Sequence, residues 1–139
     1  MSQVKTILLI NPWIHDFSAY DLWTKPLGLL YLAAFLRRNG FNIQFIDCLD
    51  PWNPQMRGNS TMRLPSRLPS ERGKNFQDTI PKPAALKTIP KRYHRYGLTP
   101  RVFREMLLAL PKPAFVLVTS MMTYWYPGII EAVKILRKK

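Results

Sequence analysis

The sequence predicts an α/β protein built on a parallel β-sheet, and three segments support this prediction. Residues 6–10 and 114–119 are short, unbroken apolar runs rich in β-branched side chains, as in strands that are covered on both faces. Residues 41–47 form a third strand-like segment. Residues 27–38, which lie between segments 6–10 and 41–47, have the length of a crossover helix. A strand, a helix and a strand with short joints form a right-handed βαβ unit.

Three helices are predicted from their end signals. Pro26 precedes an apolar segment that finishes with two arginines and Asn39-Gly40, which is a typical helix start and stop. Thr99-Pro100 provides an N-cap followed by a first-turn proline, and apolar residues then recur at helical spacing up to Leu110. Pro127 opens the last helix, which we expect over residues 128–138.

Sequential right-handed crossovers give the strand order 2-1-3, the opening half of a flavodoxin-like doubly wound sheet. The predicted fold is therefore a three-layer Rossmann-like sheet, which is incomplete because no residues remain for a fourth strand. The third strand would be an exposed apolar edge, which natural proteins avoid. We expect the chain to be the front part of a larger protein, or to pack against another chain or a second copy of itself.

The middle of the chain breaks the α/β pattern. We interpret residues 48–98 as a basic, proline-rich insertion within a single domain that spans residues 1–139. Its seven prolines argue against a long helix or a central strand, so the insertion is either functional or partly disordered. Residues 89–97 alternate cations with aromatics, as in nucleic-acid contacts, or as in an arm that packs through Tyr93 and Tyr96.

Composition limits the partners and the compartment. The formal charge of +13 favours nucleic acid, anionic lipid or acidic substrates as partners. The single cysteine, Cys48, excludes a disulfide or a cysteine-only metal cluster within the chain. The sequence has no apolar signal core before Thr6, and its longest apolar run, residues 27–36, is about half a membrane span. We therefore expect a cytoplasmic protein without a membrane partner.

Two loops leave the carboxyl ends of predicted strands, where open α/β sheets bind their ligands. The first loop, residues 11–25, is unusually long for this position. Its aromatic side chains could line a flat ligand or form a packed lid; they are Trp13, Phe17, Tyr20 and Trp23. The second loop covers residues 120–126 and follows the third strand.

Four segments together resemble the N-terminal cobalamin-binding-type domain of radical SAM proteins. They are KTILLINP at residues 5–12, KPLGLLYLAA at 25–34, FID at 45–47 and VTSMMT at 118–123. The resemblance covers the two ends of the chain, and the basic insertion lies outside it. It implies a B12-binding domain that holds the corrinoid at the carboxyl ends of strands 1 and 3. The implied cobalamin contacts are Asn11, Trp13, His15, Ser120, Met122 and Thr123.

Two departures from the family bear on the chemistry. The Cys-x3-Cys-x2-Cys motif of the radical SAM barrel is absent, so this chain holds no Fe–S cluster and is not catalytic alone. The cobalt-ligating Asp-x-His-x-x-Gly motif is also incomplete, because Trp13 and Ser18 occupy its Asp and Gly positions around His15. Cobalamin would then bind without a histidine ligand, or the pocket is vestigial. The resemblance implies a radical SAM barrel domain as a partner, or a second chain that pairs with strand 3.

Other chemistries lack their motifs. No Gly-x-Gly-x-x-Gly or P-loop follows the first strand, so we interpret Asp47 as a structural cap rather than a ribose ligand. Ser120 lacks the Gly-x-Ser-x-Gly frame of a hydrolase nucleophile. The sequence thus predicts a cobalamin-binding-type accessory domain of a B12-dependent radical SAM enzyme. The alternatives are a basic nucleic-acid or protein-interaction module that acts through residues 57–95, and an inactive truncated fragment.

Overall fold

The computed structural model describes residues 4–22, 25–59 and 61–138. In chain order the elements are β1 (Thr6–Asn11), β2 (Ile14–Asp16), α1 (Leu27–Arg38), β3 (Asn42–Asp47), α2 (Pro54–Arg57), β4 (Gln77–Thr79), β5 (His94–Tyr96), α3 (Pro100–Ala109), β6 (Phe115–Val118) and α4 (Tyr126–Leu136). Short 3-10 turns lie at Ala84–Leu86 and Thr123–Trp125. No helix in the described ranges is long and apolar enough to cross a membrane.

The predicted parallel sheet is present, with the predicted strand order. β1 lies in the centre and pairs in parallel with β3 on one side and β6 on the other. Side chains alternate along β1, so Leu8 and Ile10 face α3 and α4, whereas Ile7 and Leu9 face α1. Because the three strands are parallel, the carboxyl ends of β1, β3 and β6 lie at one edge of the sheet.

The helix signals act as expected, with small shifts of the boundaries. Gly40 has a φ of +84° directly after α1, which is the left-handed stop that the sequence predicts. The hydroxyl of Thr99 accepts a hydrogen bond from the backbone N–H of Val102 at 3.3 Å and so caps α3. The last helix begins at Tyr126 rather than after Pro127, because proline fits the first helical turn.

A second sheet, which the sequence analysis did not predict, lies in the basic segment and the first loop. It is antiparallel, with the order β2-β5-β4. The expectation that prolines exclude a central strand from residues 48–98 is wrong at β5, because residues 91–97 contain no proline. Tyr93 and Tyr96 are both buried there, as the interpretation of a tyrosine-packed arm required.

The basic segment also contributes to the main core. Met56, Phe76 and Leu98 are fully buried, and they pack in the same apolar cluster as Leu8 and Ile10 of the parallel sheet. Segment 48–98 therefore supplies part of the core on the α3 and α4 side of the parallel sheet.

Candidate functional site

The carboxyl edge of the parallel sheet brings together the two loops that carry the predicted contacts. Asn11 at the end of β1 and Ser120 after β6 line a common small cavity with Met121 and Trp125. Gly128 in the first turn of α4 contacts the first loop so closely that a Cβ there would lie 2.0 Å from the carbonyl oxygen of Trp13. The start of α4, which directly follows the second loop, is thus packed closely against the first loop.

Asn11 is buried and pairs with the end of the neighbouring strand. Its Nδ2 donates to Oδ1 of Asp47 at 2.8 Å, and the same oxygen accepts the backbone N–H of Leu49 at 3.0 Å. Burial raises the pKa of Asp47, although the hydrogen bonds from Asn11 and Leu49 partly offset this effect. These contacts fit the interpretation of Asp47 as a structural cap that fixes the turn after β3.

Trp13 is a core residue in this structure. Its indole is almost fully buried, its Nε1 donates to the carbonyl oxygen of Leu98 at 2.6 Å, and its ring meets Phe103 edge to face at 4.9 Å. A contact between Trp13 and a cofactor would require this core to open. Of the other loop aromatics, Phe17 packs on Tyr93 at 5.2 Å, Tyr20 is partly exposed, and Trp23 lies outside the described residues.

His15 lies on β2 and belongs to a partly buried chain of polar side chains that continues through Glu131 and Arg95 to Asp78. Its Nε2 lies 2.8 Å from Oε2 of Glu131, and the same oxygen accepts from Nε of Arg95 at 3.2 Å. Arg95 also lies 3.8 Å from Asp78. Burial alone would raise the pKa of Glu131, but the hydrogen bond from His15 and the charge of Arg95 outweigh it and hold this pKa below its usual range.

The contacts of Glu131 with His15 and Arg95 join β2 and β5 to α4. A neighbouring hydrogen bond joins β2 to the turn before α4. Nε1 of Trp125 donates to Oδ2 of Asp16 at 3.0 Å, one residue after His15. Glu131, Arg95 and Trp125 were missed in the sequence because they lie on separate elements, far from the first loop along the chain. The sequence gives one clue: Glu131 is the only acidic residue of α4 and has apolar residues on both sides along the chain, so a carboxylate there needs partners.

The second loop differs from the first because its predicted contacts are accessible. Ser120, Met122 and Thr123 are all exposed, and the hydroxyl of Ser120 donates to the carbonyl oxygen of Met122 at 2.8 Å. Met121 and Tyr124 extend this surface and are also exposed. The structure therefore places three of the six predicted contacts on an open surface and three in the interior.

The cavity between the loops tests whether a cobalamin tail fits. Its volume is about 10 Å³, which is room for one water molecule, so the nucleotide tail of cobalamin does not enter the slot in this conformation. The polar side chains at its wall, Asn11 and Ser120, donate hydrogen bonds to Asp47 and to the carbonyl oxygen of Met122. His15 does not present Nε2 to this surface, because that atom contacts Glu131 and the residue is only 8% exposed. Among the described residues, no cluster of His, Cys, Asp or Glu could hold a metal ion.

A larger cavity lies away from the sheet edge, in the basic segment. Its volume is about 630 Å³, and it is enclosed by the loop after β2, residues 61–66 and residues near β4. Two exposed cations, Arg63 and Lys74, lie at its wall beside Tyr20 and Tyr96. The sequence analysis identified the basic character of this segment but not the cavity.

A scan against models of protein families matches none of them, and searches of curated proteins and of solved structures give no significant match. A proposal for the function therefore rests on the geometry of the two loops and on the sequence resemblance.

Proposed function

We propose that this chain is a cobalamin-binding-type accessory domain that serves a B12-dependent radical SAM enzyme. One observation carries the proposal: β1 and β6 are parallel neighbours, and the loops at their carboxyl ends meet around Asn11 and Ser120. This edge is where open α/β sheets bind ligands. It also carries the residues of the family resemblance, including the exposed Met122 and Thr123.

In this proposal the second loop makes the first contacts with the cofactor. The hydroxyls of Ser120 and Thr123 offer hydrogen bonds to its polar periphery, and Met122 offers an adaptable apolar contact. Asn11 would face the cofactor only after the slot opens. Contacts from Trp13 and His15 would also require these side chains to separate from their partners Leu98 and Glu131. When bound, cobalamin supplies methyl-transfer or radical chemistry in the family that the chain resembles.

Opening of the slot depends on Met121. Its side chain lines the closed cavity but is 43% exposed, so it can leave without disturbing the core. The other large side chain of the second loop at this cavity, Trp125, donates a hydrogen bond to Asp16. Met121 therefore controls access in this proposal.

The test is a titration of the full chain with hydroxocobalamin, followed by visible absorption and by retention on a desalting column. We expect micromolar binding, tighter binding by Met121→Ala, and loss of binding in Met121→Trp because the indole fills the slot. Leu108→Trp is the matched control, since Leu108 is exposed on α3 far from the loops, and it should bind like the wild type. Unchanged spectra and no retention at high micromolar cobalamin would overturn the proposal.

The catalytic partner belongs to the same proposal. β6 is an edge strand of the described sheet, and its Phe115 is 57% exposed. A radical SAM barrel domain, or a second chain, would pair with this strand and cover its apolar side chains. The barrel would also supply the iron–sulfur cluster, since this chain has the single cysteine Cys48 and no Cys-x3-Cys-x2-Cys motif.

A second candidate function is supported by the cavity in the basic segment. Arg63 and Lys74 could contact phosphates there, while Tyr20 offers a surface for stacking. Elsewhere in the basic segment, the guanidinium of Arg57 stacks on exposed Trp52 at 4.7 Å from the ring centre. This arrangement suits single-stranded nucleic acid, which needs cations together with aromatic surfaces.

Fluorescence anisotropy with a labelled single-stranded RNA tests this second candidate. We expect binding that weakens steeply with salt, and a smaller salt dependence when Arg63 and Lys74 are both changed to glutamine. The matched control changes Arg104 and Lys112 to glutamine, since both are exposed outside the segment. Equal losses in the two double variants would indicate non-specific attraction to a basic protein. If neither RNA nor cobalamin binds, the alternatives that remain are a protein-interaction module and an inactive fragment.

A further inference from the structure

Helix α1 carries two apolar stripes, and only one of them faces the sheet. Leu29 is buried against β1, with Ala33 and Leu36 packed beside it. A second stripe consists of Gly28, Tyr31, Leu32 and Phe35, which follow the i, i+3, i+4, i+7 spacing of one helix face. All four residues are exposed, Tyr31 by 76% and Phe35 by 63%.

A helix that is apolar around most of its circumference is normally buried. Leu27 and Leu30 enlarge the exposed surface, which with the second stripe amounts to on the order of 500 Å² of apolar area. A standard dimer interface covers roughly 800 Å² on each partner, of which somewhat more than half is apolar. The exposed face of α1 therefore has the area that the apolar part of such an interface needs.

The second stripe is complementary to itself under a two-fold rotation. When two copies of α1 pack antiparallel with the axis between Tyr31 and Leu32, Gly28 of one copy lies opposite Phe35 of the other. Tyr31 then lies opposite Leu32. The Phe35 ring thus faces Gly28, the only residue of the stripe without a side chain, which is knob-into-hole packing at the scale of one helix pair.

Gly28 has no function that is visible within one copy. A Cβ at this position would meet no atom within 4 Å, so any residue would fit there. The absence of a side chain creates a depression of the right kind for an aromatic ring from a second helix. We propose that the chain forms a two-fold symmetric dimer through the second stripe of α1. This proposal is independent of the cofactor and of the RNA.

Charge at the ends of the helix gives the dimer a distinctive salt dependence. In the antiparallel pair Lys25 of one copy lies near Arg38 of the other, and α1 itself contains no acidic residue. These like charges are exposed at the rim, where salt screens them. The dimer should therefore tighten as NaCl increases, whereas binding of an anionic lipid or a nucleic acid would weaken.

Sedimentation equilibrium of the full chain, at low and high NaCl, measures the dimer directly. We expect a monomer–dimer equilibrium that shifts to dimer in high salt. Gly28→Leu should weaken the dimer by at least about tenfold, because the new side chain fills the depression. Circular dichroism should show that this variant is folded, since the space above Gly28 is open in one copy. Leu108→Ser removes an exposed leucine from α3 and should leave the dimer unchanged.

A charge reversal provides an independent check of the two-fold geometry. Lys25→Glu creates two Glu–Arg38 pairs across the interface, so the dimer should tighten by about threefold to tenfold at low salt. Its salt dependence should also change sign. A monomer at all concentrations, an equal dimer in Gly28→Leu, or flotation of a monomeric chain with phosphatidylserine vesicles would each overturn the proposal.

Discussion

At the scale of single residues, Glu131 holds together two parts of the molecule. It accepts hydrogen bonds from His15 on β2 and Arg95 on β5, while its backbone lies in α4. A carboxylate that is removed from water needs such partners, because its lost hydration must be replaced. The same contacts explain why the pKa of Glu131 is lowered in spite of burial.

We expect Glu131→Gln to lower the free energy of unfolding by about 2 kcal/mol at neutral pH, less than for a fully buried pair because the side chain is a quarter exposed. Since the folded state lowers this pKa, the stabilisation is present above the ordinary range of a glutamate and is lost as pH falls through the folded value. Urea unfolding at several pH values should show the difference from wild type shrinking in acid. Glu105→Gln, in an exposed pair with Arg101, is the control and should cost about 0.5 kcal/mol or less.

Asp47 should show the opposite pH dependence. Burial raises its pKa, so its contribution to stability is present at low pH and is lost as pH rises through the folded value. Asp47→Asn keeps an oxygen that can accept from Asn11 and Leu49, without the cost of a buried charge. We expect this variant to be at least as stable as wild type at neutral pH, and its advantage to disappear in acid. A clear loss of stability at neutral pH would show that the charge itself is needed.

At the scale of elements, α3 depends on its cap. The Thr99 hydroxyl satisfies the N–H of Val102 at the start of a helix whose Val102, Phe103 and Leu107 are buried in the main core. We expect Thr99→Ala to destabilise the protein by about 1 kcal/mol in urea unfolding. Thr88→Ala, at an exposed position in the basic segment, should change stability by less than about 0.5 kcal/mol. Equal effects of the two variants would contradict a capping role for Thr99.

The antiparallel sheet shows how a proline-rich segment becomes ordered. Its central strand β5 begins with His94 and follows Tyr93, whose hydroxyl donates to the carbonyl oxygen of His15 at 3.1 Å. The Tyr96 hydroxyl reaches the carbonyl oxygen of Phe17 at 3.4 Å. These long-range bonds attach the end of the basic segment to the first loop, so the two stretches order each other.

At the scale of the whole molecule, the two sheets share one core and should unfold together. Phe76 comes from the basic segment but is buried in the cluster that contains Leu8 and Ile10. We expect Phe76→Ala to cost about 3–5 kcal/mol. Tryptophan fluorescence and far-UV circular dichroism should then report one coincident transition. Leu64→Ala, at an exposed position of the same segment, should have little effect.

A second, separate transition in Phe76→Ala would contradict this shared core. The shared core also affects the choice of variants for the binding tests. Deletion of residues 57–95 would remove Phe76 and Tyr93 from the interior, so a loss of binding after deletion could not be assigned to the basic side chains. The charge-neutralising double variant of Arg63 and Lys74 avoids this difficulty, because both residues are exposed.

The sequence by itself determined the parallel sheet. Apolar runs, helix caps and short joints are local signals, and right-handed connections between the strands then give the order β3-β1-β6. It also determined that the loops after β1 and β6 share an edge. Only the tertiary structure decided which loop residues are accessible. Trp13 and His15 are buried by partners that lie more than eighty residues away along the chain: Leu98 after β5, Phe103 on α3 and Glu131 on α4. No local pattern encodes such pairings, because they depend on how the basic segment packs on the sheet.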